Sequence, residues 1–324
     1  MVAQRAGVSP STVSRILNGT AKVSPEKATA VAAAIRTLGF VPNPVARGLA
    51  GGRSFSIGVI TQAIDSPFYG PSLRGIEDEL DPQGYSSLIV SAKWSSDTEA
   101  RCVDTLRARR VDGIIVLTGR LSHQALRACA KSVPVVVTGR TLKAKGLFAM
   151  GFDNYEGGRL ATQHLLDLGH RSIVFISGDP AHPDSSERLR GYQFALEASR
   201  IAYDPALVTA GDYTEASGLL AITKLLDRRR DFTAIFAAND QMAAGAALGL
   251  HRANLKIPGD VSLVGFDDLS VSEFSVPPLT TIHQSTYEQG SLAARAMLQL
   301  IGGAIPTLQI PPPRLVTRES TRRI

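Results

Sequence analysis

Only two of the 324 residues are cysteines, Cys102 and Cys129, and neither stands in a metal or redox spacing. One possible pair is no disulfide framework, so nothing demands an oxidising compartment. Long apolar runs are missing as well. No stretch approaches the length that spans a bilayer, and the N-terminus has no apolar signal core. A cytoplasmic chain is expected. The motifs of common enzyme chemistries are also absent: no lysine in Walker spacing after a glycine, no Gly-x-Ser-x-Gly, no His-Glu-x-x-His, and no Gly-x-Gly-x-x-Gly at a strand–helix turn. The six histidines are scattered without metal spacing. The expectation is a protein with no catalytic residues, cofactor or metal.

What is present is an ordinary globular composition, 44% hydrophobic and 20% charged, with an uneven distribution of charge. Residues 1–53 hold seven basic side chains and one acidic one, whereas the rest of the chain holds 28 of each sign. The whole formal net charge of +6 therefore sits in the first sixth of the sequence. Such an end suits a polyanion.

That end also carries helix signals. Gly7 can close one short helix, Ser9 can cap the next, and Pro10 fits its first position, where no N–H is needed. Asn18-Gly19 then stops it. Val13, Ile16 and Leu17 fall on one face of this second helix, and Ser11, Ser14 and Arg15 on the other. A third helix is predicted from a Ser24 cap and Pro25 to Gly39, with an apolar stripe of Ala28, Val31, Ala32, Ile35 and Leu38. A short helix that exposes hydroxyls and an arginine above an apolar base can enter a major groove. There arginine grips guanine in bidentate fashion and small hydroxyls reach phosphates or base edges.

The string Val2-Ala3, Ala6-Gly7-Val8-Ser9, Thr12-Val13-Ser14-Arg15, Leu17-Asn18-Gly19, Val23-Ser24 and Gly39-Phe40-Val41-Pro42-Asn43 closely resembles the headpiece of the lactose/galactose repressor family. The resemblance implies DNA contacts from Ser9, Pro10, Ser11, Thr12, Ser14, Arg15 and Asn18. Members of the family have several residues before the Val-Ala pair, so either the start is misassigned or the first helix is short. Residues 41–53 then match the family's hinge, with Asn43 and Ala46 on it and Leu49 in the position of the leucine that wedges into the minor groove. Two helical turns are marginal alone and need a partner to fold against.

From Phe55 on, apolar runs at 57–60, 87–90, 113–117, 133–137, 173–176, 234–237 and 261–264 alternate with amphipathic segments. Near-continuous Val/Ile runs of this kind are parallel strands covered on both faces. So many of them predict an α/β core of two doubly wound subdomains, with ligands beyond the carboxyl ends of the strands. Those ends hold Asp65-Ser66-Pro67-Phe68-Tyr69, Asp153-Asn154, Arg188, Tyr213, Asn239-Asp240 and Asp267-Asp268. Arginine, carboxylate and amide with flat aromatics suit pentoses, hexoses, polyols and sugar phosphates alike.

These segments look like the sensor of the same family and its relatives, the periplasmic sugar-binding proteins. By that resemblance Arg188, Asn239 and Asp267 are polar effector anchors, Tyr213 a stacking aromatic, and Phe68 and Tyr69, with Asp65 nearby, line the other lobe. The implied layout is a headpiece at 1–40, a hinge at 41–53, and a core at 54–324. One core subdomain takes 54–153 and 284–310, the other 154–283 and 311–324. The implied function is a dimeric, DNA-binding transcription regulator on a palindromic operator, a repressor by family frequency, with a carbohydrate-like effector between the lobes. No leucine heptads follow Arg322-Arg323-Ile324, so no helical tetramerisation segment is expected. The rival reading is a solute-binding protein of a transport system, which shares the core but has no use for a basic headpiece.

Overall fold

The structure, a computed structural model, describes residues 1–18, 23–40 and 53–324. It opens with three helices, α1 (Val2–Arg5), α2 (Pro10–Asn18) and α3 (Pro25–Leu38). Gly7 takes φ +65° between the first two, and Gly39 takes φ +56° after the third, backbone shapes that glycine adopts without a Cβ clash. The Ser9 hydroxyl accepts the Thr12 amide at 3.2 Å, capping α2. Val2, Val13, Val31 and Ala34 form a small buried core, flanked by Ile16, Leu17 and Ile35. Two details differ from the sequence reading. The third helix buries Val31 and Ala34, while Ala32 and Leu38 are exposed. Ser24 stands at the cap position without a side-chain cap bond, so Pro25, whose ring fixes φ, starts that helix.

The core contains two parallel sheets. The first comprises β1 (Ser56–Thr61), β2 (Ser86–Ser91), β3 (Gly113–Val116), β4 (Val135–Thr138) and β5 (Leu147–Met150), in the order β2-β1-β3-β4-β5. Alternate residues serve opposite faces, as the pleat requires. Ile114 and Val116 join a cluster with Val103, Leu106 and Leu126, and Ile115 and Leu117 join one with Ile76, Leu80 and Met297. The helices supplying those covers include α4 (Tyr69–Leu80), α5 (Ser96–Ala108) and α6 (His123–Cys129). The second sheet comprises β6 (Ile173–Ser177), β7 (Val208–Ala210), β8 (Ala234–Ala237) and β9 (Ser262–Val264), in the order β7-β6-β8-β9. Its helices are α7 (Asn154–Asp167), α8 (Pro183–Ala198), α9 (Glu215–Leu226), α10 (Asp240–Arg252) and the short α11 (Ser270–Glu273).

The chain crosses between the sheets more than once. A two-stranded antiparallel ribbon, β10 (Thr281–His283) with β11 (Arg314–Val316), links them, and α12 (Thr286–Ile301) packs back on α4. Beyond β11, Leu263 donates its amide to the Ser320 carbonyl at 2.8 Å, which ties the end of the chain to the second sheet. Among the described residues, seven of the eleven strands coincide with the apolar runs; β5, β7, β10 and β11 were not singled out.

The α4–α12 contact is close because Gly75 and Gly290 face the partner backbone. A Cβ at Gly75 would collide with the Tyr287 carbonyl oxygen, and one at Gly290 with that of Ser72. Backbone cannot swing aside as a side chain can, so the Gly75→Ala variant should lose about 1–3 kcal/mol of stability, read as a lower urea midpoint.

Candidate functional site

Two regions combine exposed or convergent polar groups. In α2, Val13 is buried while Ser11, Ser14 and Arg15 are exposed, and Thr12 is half-buried. Ser9 and Pro10 stand exposed at its start, where the Ser9 hydroxyl lies 2.9 Å from those of both Ser11 and Thr12. A cluster of hydroxyls at a helix N-terminus, where backbone N–H groups point outward, is suited to a phosphate. Arg15 makes no ion pair among the described residues and is free to reach a base edge. Asn18 closes α2. Asn43, Ala46 and Leu49 lie outside the described residues.

The second region is a cleft of about 360 Å³ between the two sheets. Its walls are the segments after β1, β2 and β3 on one side and after β6, β7, β8 and β9 on the other, the strand ends at which α/β sheets place ligands. Asp65, Phe68, Tyr69, Arg188, Tyr213, Asn239 and Asp267 all line it. So do Trp94, Thr118, His182, Asp184, Asp212, Glu215 and Gln241, which the sequence reading had not singled out.

Arg188 organises the floor. It is 4% exposed; its Nε donates to Asn154 Oδ1 at 2.9 Å, and one terminal nitrogen donates to the Ala238 carbonyl. The guanidinium carbon lies 3.7 Å from the centroid of the Phe266 ring, and Asp267 Oδ1 is 3.8 Å from Nη1. Burial lifts the Asp267 carboxyl well above its ordinary range, against the pull of Arg188 beside it. Gln284 Nε2 donates to the same carboxyl at 2.8 Å. Asp267 holds φ +117°, an unusual backbone for a non-glycine residue and one that collects at ligand clamps. Tyr213 is similarly placed at φ +73°, and its carbonyl accepts the Asn239 side-chain amide at 3.0 Å. The Asn239 carbonyl oxygen caps α10 by accepting the Met242 amide at 2.9 Å, so this side chain shapes the wall as well as lining it.

Aromatic rings cover much of the rest. Trp94 meets His182 edge to face at 5.0 Å between centroids, and His182 meets Tyr213 likewise at 5.8 Å. Burial holds the His182 imidazole below its ordinary pKa, and its Nδ1 accepts the Asp184 amide, both features of a neutral ring. Burial also raises the phenols of Tyr69 and Tyr213. Contacts that cross the cleft include Trp94 on His182, Ser66 donating to Gln241 at 3.4 Å, and an ion pair of Arg120 with Asp179.

Several sequence candidates serve the scaffold. Asp153 caps α7 by accepting the Glu156 amide, and Asn154 supports Arg188 from behind. Asp268 pairs with Arg318 and His283 at 2.7 Å each. Asp240, 2% exposed, accepts hydroxyls of Thr281 and Ser272 at 2.6 Å and the Leu269 amide at 2.8 Å. It fastens β8 to the segments after β9 and lines no part of the cleft.

A basic helix-turn-helix module followed by a two-sheet receptor with a central cleft defines a ligand-responsive nucleic-acid-binding protein. Residues 2–43 match the family model of bacterial regulatory proteins of the lacI family, and residues 54–323 match that of periplasmic binding proteins and the sugar-binding domain of the LacI family. The chain is 36% identical to the transcriptional regulator CelR of Thermobifida fusca, over 99% of its own length and 97% of CelR. It is 33% identical to catabolite control protein A of Priestia megaterium, over 99% and 98%. Among solved structures it resembles the Lac repressor dimer bound to operator and the anti-inducer ONPF, with TM-score 0.89 and 32% identity over 99% and 98% of the chains. It also resembles a CelR–cellobiose complex, with TM-score 0.75 and 35% identity over the same shares. The chain belongs to the lacI family and is a DNA-binding transcription regulator.

Burial pushes the Asp240 carboxyl up to about 6. A raised carboxyl stabilises the fold while protonated and loses that contribution as pH rises through its folded value. Between pH 4 and 6 the protein should therefore lose about 2–3 kcal/mol of stability relative to Asp240→Asn. Urea denaturation of both proteins across that range checks the sign and size.

Proposed function

We propose that this regulator acts as a two-fold dimer that reads a palindromic operator with α2 and releases or tightens its grip when a carbohydrate-like effector occupies the cleft. Ser9, Pro10, Ser11, Thr12, Ser14, Arg15 and Asn18 are the groove and phosphate contacts, and Asn43, Ala46 and Leu49 add further contacts to DNA. The observation that carries the first half is the exposure of Ser11 and Arg15 above a buried Val13. One short helix offers few contacts, and symmetry doubles them; the likeness to an operator-bound Lac repressor dimer supports this reading.

The second half rests on the Arg188–Asp267 pair on the cleft floor, donors beside an acceptor in the arrangement that vicinal hydroxyls require. Asp65, Phe68, Tyr69, Tyr213 and Asn239 complete the effector site. Residues 54–153 with 284–310 form one lobe and 154–283 with 311–324 the other. The effector bridges them and biases their closure, and DNA affinity shifts by its differential affinity for the two states, typically about 1–3 kcal/mol. The protein works in the cytoplasm, represses, and carries out no catalysis.

Arg15→Ala should cost about 1–3 kcal/mol of discrimination between operator and random DNA and leave effector binding intact. Asp267→Asn should do the reverse, keeping operator affinity while the response to effector is lost. Fluorescence anisotropy of a labelled operator, with and without effector and across a salt series, measures both. Equal damage to both activities by either change would refute the division of labour.

A further inference from the structure

A second cavity, of about 730 Å³, opens between the lobes beside the cleft. It shares only His182 and Asp184 with the effector site, and His182, held edge to face by Trp94, stands between the two. The segments after β3 and β4 form its first wall and carry Arg120 and Arg140. Gly119, Gly139 and Gly151 leave much of that wall as bare backbone, so a ligand can come close to both arginines. The start of α8 forms the facing wall and carries Asp184 and Glu187.

The charges on these walls are incompletely answered. Arg140 is half-buried, and among the described residues its one hydrogen bond goes to the Leu121 carbonyl. Burial holds its guanidinium below the ordinary range, against the pull of Glu99 and Asp184, and among the described residues it forms an ion pair with neither. Arg120 pairs with Asp179 through one terminal nitrogen, while its Nε is buried without a partner. Opposite, Glu187 is paired with Arg190 at 2.7 Å. Among the described residues the Asp184 carboxylate has only the neutral His182 ring within ion-pair reach, at 3.7 Å. Arginines with spare donors and a carboxylate without a cation therefore face each other across a gap, and groups of this kind call for a partner.

Simple ligands answer half of this pattern. An anion meets the arginines but also Asp184, a cation meets Asp184 but also the arginines, and a neutral molecule leaves both sides uncompensated. A molecule with a carboxylate at one end and an ammonium at the other satisfies both walls. Guanidinium takes a carboxylate in bidentate fashion, and an ammonium donates to a carboxylate.

We propose that this cavity is a second ligand site, separate from the effector cleft, that binds a free amino acid with its carboxylate on Arg140 and Arg120 and its ammonium on Asp184. Because the two ends of the ligand rest on different lobes, occupancy gives the regulator a second input to lobe closure.

The test uses the full-length protein with the twenty common amino acids, together with β-alanine and γ-aminobutyrate, which set the two charges further apart. Thermal shift screens them and calorimetry measures the affinity. At least one amino acid should raise the melting temperature, and the matching acid and amine, each lacking one of its charges, should bind about tenfold or more weaker. Arg140→Gln and Asp184→Asn should each weaken the amino acid about tenfold or more. Thr141, an exposed residue of the same wall, can be changed to tryptophan to fill the cavity while all three charges stay in place. Thr141→Trp should abolish binding, and it keeps the proposal open to refutation if loss of Arg140 unfolds the lobe. Saturating amino acid should shift operator affinity about fivefold or more, read by fluorescence anisotropy. Failure of every amino acid to bind, binding that survives Thr141→Trp, or equal binding of the matching acid or amine would overturn the site. An unchanged operator affinity at saturation would overturn its link to closure.

Discussion

A cation with 4% of its surface exposed must be compensated or the fold around it fails, and the second sheet is built to compensate Arg188. Asn154 reaches it from the start of α7, the Ala238 carbonyl from the end of β8, and Phe266 and Asp267 from the segment after β9. Four stretches of chain remote in sequence are held in register by one guanidinium. Losing one partner of such a group leaves an unpaired buried charge, at a cost of about 3–5 kcal/mol. Arg188 also lines the cleft where the strand ends converge, so one residue both fixes the floor and offers it a cation. Asp240 does the complementary work outside the cleft: by accepting from Leu269, Ser272 and Thr281 it locks the end of β8 to the segments that flank Asp267.

The sequence made the periodic parts of this arrangement legible and concealed the aperiodic ones. Runs such as Ile114–Val116 and Ile173–Ile176 announce buried parallel strands because both faces of each strand are covered. β5, β7, β10 and β11 were overlooked for the opposite reason. They are three or four residues long, and Leu147–Met150 and Val208–Ala210 are edge strands whose partly exposed residues break the apolar run. In α3, Ala32 and Ala34 are chemically identical, so only the direction of approach of α1 and α2 decides that Ala34 is buried.

The cleft followed the same rule. Arg188, Asn239 and Asp267 stand directly after recognisable strands or at a marked helix, whereas Asp240 and Asp268 sit one residue further on and turn into the scaffold, a distinction of side-chain direction that spacing does not carry. Trp94 was within reach: it follows the run 87–90, and a lone tryptophan beyond a strand end is a usable signal. His182 and Asp184 open α8 around Pro183, and that helix start could have been read as a wall of the site. Both were missed because Gly178-Asp179-Pro180 announces a turn after β6 without saying which of the following side chains face the cleft.

Charge partition gives the molecule its logic. Essentially all the net positive charge lies in residues 1–53, so the core contributes little to non-specific attraction to DNA and the headpiece supplies nearly all of it. The core can then influence DNA binding only through geometry, by setting where two headpieces stand. An effector acts on that geometry to the extent that it distinguishes one lobe arrangement from another. Contacts that exist only while the lobes are near each other carry this difference. Trp94 on His182, Ser66 on Gln241 and Arg120 on Asp179 are such contacts, and two of them involve residues that line the cleft on both sides. A ligand that enters the cleft must either reinforce or replace such contacts. The sign of the regulatory response is thereby set within a few ångströms of the bound molecule, while its size is limited by what those few contacts are worth.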